Sequence, residues 1–242
     1  MTPRQAPQRA PRLLLPDAAT LADLRRLVAR AARVDPDGAA RLVAQGDVLA
    51  MYVAPLYGSG GPTVLGLRVL RLAEPGDGDL TTPLSALADR LDRLADVRTG
   101  PAPAAPSDAP AGGLVLDLAL PQAAPAAAGW AGVTPPRQGW QPVGLIETAQ
   151  LREAVAAGVA EVVAGTPPTA GGAQVATLRA RVWGRPLAEW LPEVPSGLAF
   201  AAHVLAFLDD AEAAALYRCG PWHRLTTSRG HLLARAPLLA AR

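Results

Sequence analysis

The chain of 242 residues contains no lysine, so all of its 23 basic residues are arginine. Without lysine it cannot build a Walker A phosphate loop, whose lysine reaches the nucleotide phosphates. It also cannot form a Schiff base with pyridoxal phosphate or supply the strand lysine of protein kinases. Composition alone therefore excludes these three chemistries.

Cysteine occurs only at Cys219, so no disulfide can form within the chain. No stretch supplies the roughly 18 uncharged apolar residues that a membrane-spanning helix needs. The apolar run 13–15 is too short for a signal peptide. We therefore expect a cytoplasmic protein with no membrane partner.

The formal net charge is +2, but no acidic residue precedes Asp17 or follows Glu212. Basic ends favour an anionic partner, and the competing interpretation is that both ends are simply solvated. The absence of lysine and the abundance of alanine and proline are typical of a GC-rich genome. Arginine enrichment is therefore weak evidence for nucleic-acid binding.

A low-complexity segment divides the chain, and we predict an α+β protein of two lobes, each with antiparallel strands packed by helices. The N-terminal domain covers residues 1–98, with a disordered lead over 1–11. An Ala/Pro-rich linker over 99–129 includes a candidate strand at 114–120. The C-terminal domain covers 130–242, holds all five tryptophans and ends in a basic β-hairpin.

In the first domain, apolar periodicity predicts a helix that begins at Asp17 or Thr20 and ends at Val34. We predict a hairpin of strands 41–45 and 48–54 around Gly46-Asp47, a strand over 63–72 and a turn over 74–78. Thr82 is expected to cap a second helix with leucines along its buried side.

In the second domain we predict a helix from Thr148 to Ala164, a strand over 174–183 and a buried helix over 197–208. His203 in that apolar helix is interpreted as a hydrogen-bonded core histidine. The tryptophans are expected mainly to fill the core. A terminal hairpin with loop 228–230 is predicted to pair Thr227 with His231 and Leu225 with Leu233.

No catalytic residue, metal site or cofactor is predicted. Cys219 and His223 lie four residues apart, but a Cys/His pair depends on folded geometry rather than on spacing. With His231 they match no standard zinc spacing. The glycines of 58–61 precede a strand rather than a helix, so they do not fit a dinucleotide loop.

The terminal hairpin carries the candidate nucleic-acid contacts. These residues are His223, Arg224, Arg229, His231 and Arg235. A basic hairpin tip could contact phosphate or enter a groove. The competing interpretation is an ordinary hairpin that packs on its domain.

The Trp-bracketed stretch 130–140 and the terminal sequence Trp-His-Arg-Leu-Thr-Thr-Ser-Arg-Gly-His together resemble uncharacterised proteins of high-GC, actinobacterial type. The resemblance covers the second half of the chain and implies no activity or site residues.

The leading hypothesis is a non-enzymatic binding or interaction protein, because no catalytic constellation is present. One alternative is a nucleic-acid-binding regulator that uses the hairpin, and another is a small-molecule enzyme with a site between the lobes. Exposed apolar faces on the first-domain helices would favour a protein partner. A cluster of hairpin arginines on one exposed face would favour nucleic acid.

Overall fold

A computed structural model describes residues 12–58, 60–99, 114–117, 125–208 and 212–235. The α+β class is confirmed, because helices pack beside antiparallel strands. The elements are, in chain order, β1 Arg12–Leu15, α1 Ala18–Val34, β2 Ala39–Leu56, β3 Thr63–Pro83, α2 Leu84–Thr99, β4 Leu114–Asp117, a 3-10 helix Pro125–Gly132, β5 Gln141–Glu147, α3 Thr148–Ala164, α4 Gly172–Gly184, α5 Gly197–Val204, β6 Ala213–Cys219, β7 Trp222–Thr227 and β8 Gly230–Arg235.

The chain forms two compact units that are not contiguous in sequence. The first unit contains Met1–Met51 and Val69–Ala128, and the second contains Tyr52–Arg68 and Gly129–Arg242. This differs from the predicted domains 1–98 and 130–242. The segment 52–68 joins the second unit because β3 pairs with β8, with Thr63 opposite Arg235 and Leu67 opposite His231. The predicted disordered lead over 1–11 and most of the predicted linker lie outside the described residues.

Helix α1 begins where its sequence predicts. The Asp17 carboxylate accepts a hydrogen bond from the Thr20 backbone N–H at 2.7 Å, which satisfies a donor that the first helical turn leaves free. Leu21, Leu24 and Val28 are buried at helical spacing. The buried side of α1 packs against α2 in the first unit.

The predicted hairpin around Gly46-Asp47 is wrong, because β2 runs through this position. Asp47 pairs with Arg71 at 3.0 Å, and Arg41 pairs with Asp79 at 2.6 Å. These ion pairs join β2 to β3, which are neighbours in the sheet. Pairing between two long strands thus overrides local turn propensity.

The predicted turn over 74–78 is also wrong, since these residues belong to β3. Helix α2 begins at Leu84, directly after β3 ends at Pro83. Thr82 is a buried residue of β3, and its predicted role as the cap of α2 stays a prediction. The predicted leucine stripe of α2 is confirmed at Leu84, Leu87 and Leu91, which are all buried. Strand β4 covers part of the predicted strand 114–120, and residues 118–120 lie outside the described part.

The six-stranded sheet has the order β2-β3-β8-β7-β6-β5, so β2 and β5 form its edges. Within the second unit, helices α3, α4 and α5 pack against one another, and α5 also contacts β8. Helix α3 matches its predicted range. Its first helical residue is Thr148, and its N-cap is Glu147.

The predicted strand over 174–183 is wrong, because these residues lie in helix α4. Val175, Leu178 and Val182 are spaced by three and four residues, which is helical periodicity rather than strand alternation. The helix ends with Trp183 buried and stacked on Phe200, at a ring-centroid distance of 4.4 Å. The spacing of the apolar residues therefore indicates a helix, and the predicted strand period of two is wrong.

The apolar helix predicted over 197–208 is confirmed as buried, but it is shorter, since α5 ends at Val204. The interpretation of His203 as a core histidine is wrong, because His203 is exposed. It lies in the last turn of α5, while Phe200 and Phe207 supply the buried side chains. The apolar composition of the segment did not show which position faces outward.

The terminal hairpin forms with a register one residue tighter than predicted. Thr227 pairs with Gly230, Thr226 with His231 and Leu225 with Leu232, so the turn is Ser228-Arg229 alone. The Thr227 hydroxyl accepts a hydrogen bond from the Arg229 backbone N–H and donates one to the Gly230 carbonyl, both at 3.2 Å. These bonds close the shorter loop.

Candidate functional site

Helices α1 and α2 of the first unit form an open groove of about 560 Å³. Buried Val28 and Leu84 contribute apolar side chains to it. Most of its other lining side chains are small, and they are Ala22, Ala29 and Ala32 of α1 and Ser85 and Ala88 of α2. We call this feature the α1–α2 groove. Because small residues recur at helical spacing on both helices, the groove above them has room for side chains of another molecule.

One ion pair joins the two helices in the lining of the α1–α2 groove. The Arg25 Nε donates to the Asp92 carboxylate at 2.8 Å, and its NH2 group lies 2.7 Å from the same oxygen. Both side chains are exposed, so the pair adds at most about 1 kcal/mol to stability. The groove therefore combines small apolar walls with a polar pair that solvent and ligands can reach.

The structure separates the five predicted nucleic-acid contacts. Arg224, His231 and Arg235 lie on one side of the sheet formed by β6, β7 and β8. Arg224 is paired directly with Leu233, and His231 and Arg235 each lie two residues from Leu233 on β8, so all three share its side of the sheet. We call this side the arginine face. His223 points to the opposite side and is buried, while Arg229 is exposed in the turn.

Two aromatic rings contact the Arg224 guanidinium on the arginine face. Its guanidinium carbon lies 4.7 Å from the Trp140 ring centroid and 4.6 Å from the Tyr217 ring centroid. Tyr217 is its cross-strand neighbour on β6. Trp140 precedes β5 and donates its indole N–H to the Pro136 carbonyl at 3.0 Å. The guanidinium is thus held by two rings from different parts of the second unit.

The hydrogen bonding of Arg224 is incomplete. Its Nε is buried and has no hydrogen-bond partner, and in the described part of the chain no carboxylate lies within ion-pair distance of its guanidinium. Burial lowers the pKa of Arg224 from its usual value, but an arginine stays protonated at neutral pH. The side chain therefore carries a half-buried charge.

His231 shares the arginine face and contacts the Thr226 hydroxyl through its Nδ1 at 3.0 Å. Burial lowers its pKa from 6.5, and the positive charges of Arg224 and Arg68 lower it further. His231 is therefore neutral at pH 7, so Arg224 and Arg235 supply the charge of this face.

His223 lies 4.0 Å from a Glu193 carboxylate oxygen, and its Nδ1 is buried without a hydrogen-bond partner. Burial lowers its pKa below 6.5, the charge of Arg218 lowers it further, and Glu193 opposes both effects. Burial outweighs the attraction of Glu193, because Glu193 is exposed and also pairs with Arg218 at 3.2 Å. His223 is neutral in the folded protein at pH 7.

The lowered pKa values of His223 and His231 predict acid sensitivity. The unfolded chain binds protons near the ordinary value of 6.5, whereas the folded chain binds them only at lower pH. The free energy of unfolding should therefore fall as the pH drops below 6.5, by at most about 1.4 kcal/mol per pH unit for each histidine.

Urea unfolding at closely spaced pH values measures this loss, with His223→Gln as the test variant. The variant should show a shallower slope just below pH 6.5 than the wild type. Asp17 and Glu161 titrate at lower pH, because hydrogen bonds to Thr20 and Arg185 lower their pKa values from 3.8 and 4.5. An unchanged slope in the variant would show that His223 does not contribute.

Cys219 does not meet His223. The residue opposite Cys219 is Trp222, and the residue opposite His223 is Arg218, so the two side chains lie on opposite sides of the sheet. The Cys219 thiol instead contacts the Gln138 carbonyl at 3.6 Å. Among the residues that the structure describes, no group of three or more His, Cys, Asp or Glu could hold a metal ion.

The sequence reasoning missed Tyr217 and Trp140 as partners of Arg224, and it missed the α1–α2 groove. The Gly220-Pro221 dipeptide was a usable signal for Tyr217, because a two-residue turn at this point pairs β6 with β7 and places Tyr217 opposite Arg224. The alternation of alanines with larger residues along α1 contained a signal for the groove. Nothing in the sequence pointed from Trp140 to Arg224.

Comparisons with known proteins bear on two parts of the chain. Residues 8–111 match the family model described as a domain of unknown function, DUF8010. Residues 135–239 match a second model of that description, DUF8185. Each match covers less than half of the chain. No curated protein matches it.

Several solved structures are similar over most of this chain. A DNA polymerase sliding clamp from Pseudomonas aeruginosa with ligand is 12% identical, with a TM-score of 0.43, and the match covers 96% of this chain and 66% of the clamp. The sliding clamp from Caulobacter crescentus is 14% identical, with a TM-score of 0.45, over 95% of this chain and 66% of the clamp. The chain thus spans slightly less than two thirds of the length of these clamps. Separately, no helix in the described ranges is long and apolar enough to cross a membrane.

Proposed function

We propose that this chain is a non-enzymatic protein-interaction component whose α1–α2 groove receives a helix of a partner protein. The observation that carries the proposal is a groove of about 560 Å³ on two packed helices, with five alanine or serine residues in its lining. An exposed apolar surface on these helices was the feature expected of a protein-binding chain. The expected cytoplasmic location remains a prediction.

The spacing of the lining residues supports a helical partner. On α1 they recur at positions 22, 25 or 26, 29 and 32, and on α2 at 85, 88 and 92. Each set follows one side of a helix. A third helix can lie along such a pair, with its ridges in the space above the small residues. We therefore expect the partner helix to carry large apolar side chains.

The polar residues in the lining support a reversible interface. Arg25 and Asp92 are exposed, and Arg26 pairs only at 3.4 Å with Asp23. Exposed pairs of this kind cost little to rearrange. A partner helix with charges beside its apolar side could therefore pair with Arg25 or Asp92 at the interface rim.

The test is co-purification of tagged full-length chain from its own cells, with the copurifying proteins quantified by mass spectrometry. Ala29→Gln places a long polar side chain in the groove, and Ala29 is exposed, so the fold should tolerate it. Ala19→Gln is the matched control, because Ala19 is exposed on α1 and does not line the groove.

We expect Ala29→Gln to reduce one or more specific partners by about tenfold, which is a loss of about 1.4 kcal/mol. Ala19→Gln should retain them. Equal melting temperatures would show that the fold is unchanged. If Ala29→Gln retains every wild-type partner, the groove is not the binding surface.

Nucleic-acid binding through the terminal hairpin is the alternative function. Of its five proposed contacts, only Arg229 is exposed, and the Arg224 guanidinium lies against two aromatic rings. This arrangement offers less continuous exposed charge than binding to a phosphate backbone needs. The groove is therefore the better-supported surface.

A further inference from the structure

The guanidinium carbon of Arg224 in the second unit lies over the Trp140 ring and over the Tyr217 ring, at 4.7 and 4.6 Å from their centroids. Its Nε is buried without a hydrogen-bond partner, and the side chain as a whole remains partly open to solvent. The Nε is the only guanidinium nitrogen of Arg224 that is both buried and without a partner, so the terminal N–H groups are the part left for a ligand.

The charge around Arg224 is unbalanced. The residues on the arginine face of β6, β7 and β8 are Ala213, Ala215, Tyr217, Cys219, Trp222, Arg224, Thr226, His231, Leu233 and Arg235. None of these residues is acidic. A partly desolvated guanidinium gains most from an anion that accepts two parallel hydrogen bonds.

We propose that Arg224 is the anchor of a binding site for a carboxylate group of a ligand. A carboxylate is planar and matches the guanidinium fork through two N–H···O bonds. Contact with two rings restricts the motion of the fork, which lowers the entropy lost on binding. Arg235, on the same face, adds attraction at longer range.

The same geometry argues against nucleic acid at this site. Proteins that bind single strands stack bases on aromatic side chains, and here the guanidinium already covers one face of both rings. A carboxylate needs only the free N–H edge. The proposal is independent of the α1–α2 groove, which belongs to the first unit, so either can fail alone.

The experiment is an NMR titration of the full chain that follows the Arg224 Nε–H and Trp140 indole N–H resonances. The first probe is N-acetyl-Ala-Glu-Ala-amide, whose only carboxylate is the side chain, and its control is the same peptide with Gln. The second probe is N-acetyl-Ala-Ala with a free C-terminal carboxylate, and its control is the amide. Inorganic phosphate and a short single-stranded oligonucleotide complete the series.

We expect at least one carboxylate probe to shift both resonances at a concentration about tenfold lower than its uncharged control. The two probes distinguish a side-chain carboxylate from a chain terminus. The proposal fails if neither carboxylate shifts Arg224, if the uncharged controls shift it equally, or if phosphate or the oligonucleotide acts at lower concentration. These outcomes need only the wild-type protein.

Two variants add a separate check. Arg224→Lys keeps the charge but removes the planar fork, so it should weaken the carboxylate response of the Trp140 indole by about tenfold. Arg229→Lys is the matched control at an exposed position of the same hairpin, and its response should equal the wild type. Equal responses in both variants would overturn the assignment to Arg224.

Discussion

Replacing Trp183 with alanine lowers the free energy of unfolding by about 3–5 kcal/mol. Trp183 is 2% exposed, and it stacks on Phe200 with an interplanar angle of 26°. Its ring also lies against the backbone of Gly158 on α3. Truncation therefore leaves a cavity where α3, α4 and α5 meet, and the helices cannot close it without shifting.

Urea unfolding followed by far-UV circular dichroism measures this loss. Trp190→Ala is the matched control, because Trp190 is the same residue type and is 57% exposed. It should change stability by less than about 0.5 kcal/mol. Similar losses in the two variants would contradict the assignment of Trp183 to the centre of the helical packing.

Gly158→Ala is the second large effect, and it should lower the free energy of unfolding by about 1–3 kcal/mol. A Cβ on Gly158 would lie 2.4 Å from Cζ3 and 2.5 Å from Cη2 of Trp183. A rigid ring stacked on Phe200 cannot move away easily. The substitution therefore destabilises the protein although alanine favours a helix over glycine by about 1 kcal/mol.

Gly172→Ala separates packing from helix propensity. Gly172 is the first residue of α4, and nothing lies within 4 Å of a Cβ built on it. That variant should be neutral or slightly more stable in the same urea experiment. If Gly158→Ala is as stable as Gly172→Ala, the close approach of α3 to Trp183 does not constrain the fold.

Local signals in the sequence were sufficient to predict those helices and strands whose form does not depend on pairing with distant parts of the chain. The Asp17 cap and the apolar spacing of α1 predicted that helix, and the same reasoning predicted α3 to its last residue. The terminal hairpin was predicted with an error of one residue, because the side-chain bonds of Thr227 select the shorter turn.

Long-range pairing explains the failures. Gly46 and the segment 74–78 look like turns, but pairing between β2 and β3 extends both strands through them. In α4, positions 175, 178 and 182 fit a helix, and the arginines and threonine between them suggested a strand. Short mixed segments of this kind are decided by what packs on them.

The candidate sites were difficult to predict for the same reason, because they depend on contacts between distant parts of the chain. The sequence singled out Arg224, but its stacking depends on Tyr217 across the β6–β7 pair and on Trp140 from far earlier in the chain. The small residues of the α1–α2 groove recur at helical spacing, but that spacing does not show that the two helices pack against each other. Both sites therefore depend on tertiary contacts that spacing along the chain does not determine.

Site-specific photocrosslinking in the native cell tests the proposed function most directly. A benzophenone amino acid in place of Ser85 lies in the lining of the α1–α2 groove, and the same amino acid in place of Asp89 lies on α2 outside it. We predict a protein crosslink at position 85 whose partner segment has helical apolar periodicity, and which Ala29→Gln abolishes. Two results would contradict a protein partner in this groove. One is a crosslink at position 85 that is no stronger than the crosslink at position 89, and the other is a crosslink at position 85 that persists with Ala29→Gln.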